Sequence, residues 1–74
     1  MEKDIDLTKK AIAVNIEAMA QKLERSMIMA CEAAEAAKKN EQNLAIGTMI
    51  PIGDELEDCL ALFRAALALH RRPA

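Results

Sequence analysis

The chain has no tryptophan and no tyrosine, and only one phenylalanine (Phe63), one histidine (His70), two glycines, two prolines and two cysteines in 74 residues. Each scarcity closes a route. Without aromatic rings there is no platform on which nucleic-acid bases could stack. With one valine and few turn formers, a sandwich or barrel lacks its materials. Two cysteines permit at most one bridge, and the single histidine forms no H-x-x-x-H or E-x-x-H spacing that would gather a metal. Neither a G-x-S-x-G nor a P-loop pattern occurs. The longest uncharged run, residues 42–53, is too short for a membrane span and contains Gly47 and Pro51.

What is abundant is alanine, with fifteen copies inside a 53% hydrophobic composition. Alanine is the best helix former, so the expectation is an all-α chain. Ten basic and twelve acidic residues leave a net charge of −2, with no basic excess to grip phosphates. Glu2, Asp4 and Asp6 stand where a secretory leader would be basic and then apolar, which points to the cytoplasm. Cys31 and Cys59 are then expected as reduced thiols that behave as small hydrophobes.

Between Asp4 and Lys39 there is no glycine or proline, and Asp4, Asp6 and Thr8 offer N-caps. Apolar residues recur at Ile5, Ile12, Ile16, Met19, Leu23, Met27, Ala30, Ala34 and Ala37. The steps of three and four make one helical stripe near a 3.5-residue repeat, with an extra step of four at Leu23–Met27. This predicts a long helix over about 6–39, or continuing to Ile46 and stopping at Gly47. Lys38, Lys39 and Asn40 suit a helix end, basic and then tolerant of a left-handed backbone.

The segment that follows reads as an apolar connector over about 40–53. It carries Leu44, Ile46, Met49, Ile50 and Ile52, which either fold over the core or dock into another protein. A second helix is predicted over about 54–71. Asp54-Glu-Leu-Glu57 resembles a capping box, acids crowd the first turn, His70, Arg71 and Arg72 the last, and Pro73 ends it. Leu56, Leu60, Phe63 and Leu67 form its expected core stripe.

Arms this unequal leave half of the long stripe uncovered by the chain itself. The reading is therefore one small domain, a long helix and a shorter helix in a hairpin that closes as a homodimeric helical bundle. The expected oligomer interface is Ile12, Ile16, Met19, Leu23, Met27, Ala30, Ala34 and Ala37, with the alanines marking where another helix comes closest. The functional expectation is a non-catalytic oligomerisation or protein-interaction module, an accessory or regulatory factor, with no cofactor and no metal. The alternative is a dimeric nucleic-acid-binding regulator that gathers Lys9, Lys10, Lys22, Arg25, Lys38, Lys39, Arg71 and Arg72 into a basic strip. The acid excess and the missing aromatics weigh against it.

Overall fold

A computed structural model describes residues 2–72, and their side chains from Asp6 onward. Two helices make up the fold: α1, Glu2–Lys38, and α2, Gln42–His70. They pack antiparallel as a hairpin whose Cα atoms span 59 × 13 × 11 Å. Among the described residues there is no strand, and no helix is long and apolar enough to cross a membrane.

The first helix ends as its basic tail and Asn40 suggest. Asn40 sits in the left-handed region at φ 63°. The Glu41 N–H donates to the Ala36 carbonyl at 2.9 Å, and the Asn40 N–H to Ala37 at 3.1 Å. Those two bonds are a Schellman closure, which satisfies carbonyls that a helix end otherwise leaves open. The Glu41 carbonyl then accepts from the Ala45 N–H at 3.0 Å, so the same residue opens α2. The whole reversal takes three residues.

Here the expected boundaries are corrected. The connector over 40–53 does not exist as a loop: Leu44, Ile46, Met49, Ile50 and Ile52 all belong to α2. The capping-box acids from Asp54 therefore fall mid-helix, and Asp6 and Thr8 lie inside α1 rather than capping it. Pro73 lies outside the described residues. Local breakers are weak priors when a helix has a face to pack. Gly47, Pro51 and Gly53 all lie on exposed positions, while Ala45, Thr48 and Ile52 between them pack on α1. Pro51 brings no N–H for the Gly47 carbonyl four residues before it. With arms of 37 and 29 residues, the length mismatch read from the sequence largely disappears.

Burial shows which faces meet. On α1 the covered residues are Thr8, Ile12, Asn15, Met19, Lys22, Ser26, Met29, Ala33 and Ala36, flanked by Ala11 and Ala18. On α2 they are Ala45, Thr48, Ile52, Glu55, Cys59, Leu62, Ala66 and Leu69, flanked by Leu67. Both series step by alternating threes and fours, the a and d positions of a heptad seam. The seam is thin. Its buried members are Ala33, Ala36, Ala45, Cys59 and Ser26, and no large side chain among the described residues is fully buried. The Cys59 thiol donates to the Met19 carbonyl at 3.6 Å, which fixes those two turns at one level.

Candidate functional site

One residue beyond each seam position from Ile12 to Ala36 and from Ala45 to Ala66 lies a second seam, bounded by Lys9 and His70, the residues beyond Thr8 and Leu69. On α1 it reads Ala13, Ile16, Ala20, Leu23, Met27, Ala30, Ala34 and Ala37; on α2, Ile46, Met49, Gly53, Leu56, Leu60, Phe63 and Leu67. These are the e and b positions of the same heptads, and none of the fifteen carries a polar side chain. The inner seam, by contrast, contains Asn15, Lys22, Ser26, Thr48 and Glu55.

Both outer seams lie on the same side of the molecule. Reversing one helix of an antiparallel pair reverses the sense in which its wheel is read, so e lies beside e and g beside g. The ion pairs confirm the geometry on the other edge. Lys22 Nζ lies 3.0 Å from Asp58 Oδ2 and 3.5 Å from Glu55 Oε2, and Arg25 Nη2 lies 3.4 Å from Glu55 Oε2. All four occupy d or g positions. One broad face is thus apolar, and the opposite edge carries the charge cluster. Asp58, hydrogen-bonded to the Lys22 ammonium and adding its own charge, outweighs partial burial and, with Glu55, raises that lysine above its ordinary value of 10.5.

The apolar face is open. Ile16, Leu23, Met27, Ile46, Met49, Leu56, Leu60 and Phe63 are between 45% and 60% exposed. Accessible area tells the same story. The chain exposes 5969 Å², against about 4,500 Å² for a compact monomer of this mass by the usual size scaling. Contiguous apolar faces of this extent mark interaction surfaces.

The residues singled out from the sequence divide between the two seams. Ile12 and Met19 lie in the inner seam against α2, whereas Ile16, Leu23, Met27, Ala30, Ala34 and Ala37 lie on the open face. The second-helix stripe is corrected: Leu56, Leu60 and Phe63 are exposed and Leu67 half-buried, while Ala45 and Cys59 are the buried residues of that helix. Of the connector residues, Ile46 and Met49 join the open face, Ile52 packs inward, and Leu44 and Ile50 are exposed elsewhere. The inner seam was found only in part because small and polar residues interrupt it. The signal that finds it is strict heptad spacing, regardless of hydrophobicity.

No polar constellation competes with this face. Among the described residues no group of three or more His, Cys, Asp or Glu side chains is placed to hold a metal ion. A shallow depression of about 330 Å³ beside the turn has buried Ala36 and exposed Leu44 in its wall, and its polar lining, Glu32, Glu35, Lys39 and Glu41 with Cys31, is exposed. It holds side chains of both signs and no buried base, and Glu35 already lies 3.8 Å from Lys38. The chain matches no protein-family model and, at a significant level, no curated protein and no solved structure.

Proposed function

We propose that this chain is a non-catalytic oligomerisation module of the cytoplasm, and that its working part is the open face of e and b positions. The observation that carries the reading is the fifteen-residue seam without one polar side chain, set beside an inner seam that is partly polar. A hairpin that existed only as a monomer would gain by turning the richer seam inward. The arrangement makes physical sense when the richer seam is reserved for another surface.

The natural occupant is a second copy. From Ala13 to Ala37 the face is about 36 Å long and, two helices wide, about 20 Å across. Two such faces bury on the order of 1,400 Å², within the roughly 1,200–2,000 Å² of stable specific interfaces. The result is a four-helix bundle, the usual solution for paired helical hairpins. The nucleic-acid reading loses support because Lys22 and Arg25, two of its bases, are engaged by Glu55 and Asp58.

Light scattering after size-exclusion chromatography tests the proposal. At micromolar concentration the expected mass is twice the 8.1 kDa of the chain. Leu60→Asp, at a side chain already 45% exposed in the hairpin, shifts the mass toward one copy. A wild-type protein that elutes as a stable helical monomer overturns the reading.

A further inference from the structure

We infer that two copies of this chain pair around a twofold axis running along the bundle, with both turns at the same end and α1 of each copy lying over α2 of the other. This rests on the self-association proposed above and assigns its geometry.

The first observation is Gly53. It sits in the middle of α2 without a positive φ, and a Cβ built there meets nothing within 4 Å. Nothing inside the hairpin asks for glycine, although glycine in a helix interior costs about 1 kcal/mol relative to alanine. Gly47 is equally open, but it occupies a c position away from the apolar face. Gly53 lies on that face, where a missing side chain leaves a hole for an occupant.

The second observation is the size pattern of that face. The Lys22–Asp58 and Arg25–Glu55 pairs fix which residues of α1 and α2 lie at one level. Counting along both helices from those pairs, Met27 is level with Gly53. Ala20 is level with Leu60, Ala13 with Leu67, and Ala34 with Ile46. All eight are b positions. At each of these four b levels one helix offers a large side chain and the other a small one, with the order inverted at Met27, where the glycine stands; the e positions between them set Ile16 by Phe63 and Leu23 by Leu56, large by large.

Only one stacking uses this pattern. Two flat hairpins can meet face to face about an axis along their length or an axis across it. The lengthwise axis keeps levels and places α1 over the partner's α2. Met27 then enters the space above the partner's Gly53, and each alanine receives a leucine or isoleucine. The crosswise axis places α1 over the partner's α1 and α2 over α2 with levels reversed. With the axis at the middle of the face, Ala13 then faces the partner's Ala34, small on small, and Ile46 faces the partner's Leu67, large on large, while only Ala20 over Met27 and Gly53 over Leu60 stay complementary. Interdigitated packing favours large against small, so the lengthwise axis, complementary at all four b levels, is selected over the crosswise axis, which mismatches Ala13 with Ala34 and Ile46 with Leu67.

Two measurements test this geometry. In the first, Lys39→Cys is spin-labelled in a Cys31→Ser background, with buried Cys59 left in place. Electron–electron dipolar spectroscopy should give a distance below about 30 Å, as expected for helices 8–10 Å apart. Turns at opposite ends would place the labels roughly 50 Å apart at 1.5 Å per residue, and that result overturns the proposal. In the second, Gly53→Leu should weaken self-association at least about tenfold by filling the hole, without disturbing the hairpin. Adding Met27→Ala should restore most of the loss, because the new leucine takes the space the methionine leaves. A dimer with distant labels, or one that Met27→Ala does not rescue, removes the same-end geometry while leaving self-association intact. A monomeric wild type removes both.

Discussion

Lys22 and Glu55 meet across the hairpin seam, one from each helix, with Nζ and Oε2 3.5 Å apart and side chains only 23% and 22% exposed. Both occupy d positions that a simpler sequence would give to leucine. With Arg25 and Asp58 at the flanks they define one register: sliding either helix by a heptad sets Lys22 against Leu62 or Thr48. A charged layer of this kind specifies alignment at some cost in stability.

The pH dependence of this layer follows from the lysine. Its pKa is raised in the folded protein, chiefly by the hydrogen bond to Asp58. The contribution of such a cation is fully present below its ordinary value of 10.5 and fades as pH rises through the higher folded value. The difference in melting temperature between wild type and Lys22→Met should therefore hold steady at about pH 9 and shrink by about pH 11.5. Thermal melts followed by circular dichroism read it, and a difference that grows with alkali contradicts the assignment.

Asn40 carries the turn in a left-handed conformation, which asparagine and glycine adopt more readily than other residues. Asn40→Gly should be neutral or slightly stabilising. Asn40→Ala should cost about 1–2 kcal/mol, measured as a lower urea midpoint at unchanged slope.

The Ser26 hydroxyl is buried in the seam without a hydrogen-bond partner. Ser26→Ala removes a desolvated polar atom and almost no volume. The expected gain is up to about 1 kcal/mol, read from urea unfolding. A clear loss would mean that the hydroxyl holds a bond in solution.

Pro51 interrupts the hydrogen-bond ladder of α2 from an exposed g position, away from the apolar face. Pro51→Ala supplies an N–H to the Gly47 carbonyl and removes no buried contact. It should stabilise the hairpin by roughly 1–3 kcal/mol and leave the mass by light scattering unchanged. Hydrogen exchange of this variant should show a protected amide at position 51, where the wild-type proline has none.

Helical class and the two-helix hairpin were legible in the sequence, because alanine content acts locally; the Lys38-Lys39-Asn40 signal marked one of two ends open to α1, the other being Gly47, and the structure takes the first. The start of α2 was not. Gly47, Pro51 and Gly53 together imitate a loop, and only the packing of Ala45, Thr48 and Ile52 on α1 reveals a helix there. The apolar stripe was half legible. Following hydrophobicity alone, it began on the inner seam at Ile12, crossed at Ile16, returned at Met19 and settled on the outer seam from Leu23. The apparent stutter at Leu23–Met27 is a step within the outer heptad and breaks no repeat. A polar residue in a seam hides the seam from any search that scores apolarity.

The one-residue offset between the seams also shapes the energy landscape of the isolated chain. Turning each helix by about 100° about its own axis exchanges inner for outer positions, which makes that rotated hairpin the nearest rival fold. Hydrophobicity favours the rival; the Lys22, Arg25, Glu55 and Asp58 cluster opposes it, since rotation parts all four. Their charges thus choose between two phases of one hairpin. Replacing Lys22 and Glu55 together by glutamine, which removes the charges without enriching the inner seam, should release that choice, and nuclear magnetic resonance should then show two sets of methyl signals for Ala33 and Leu60 where the wild type shows one.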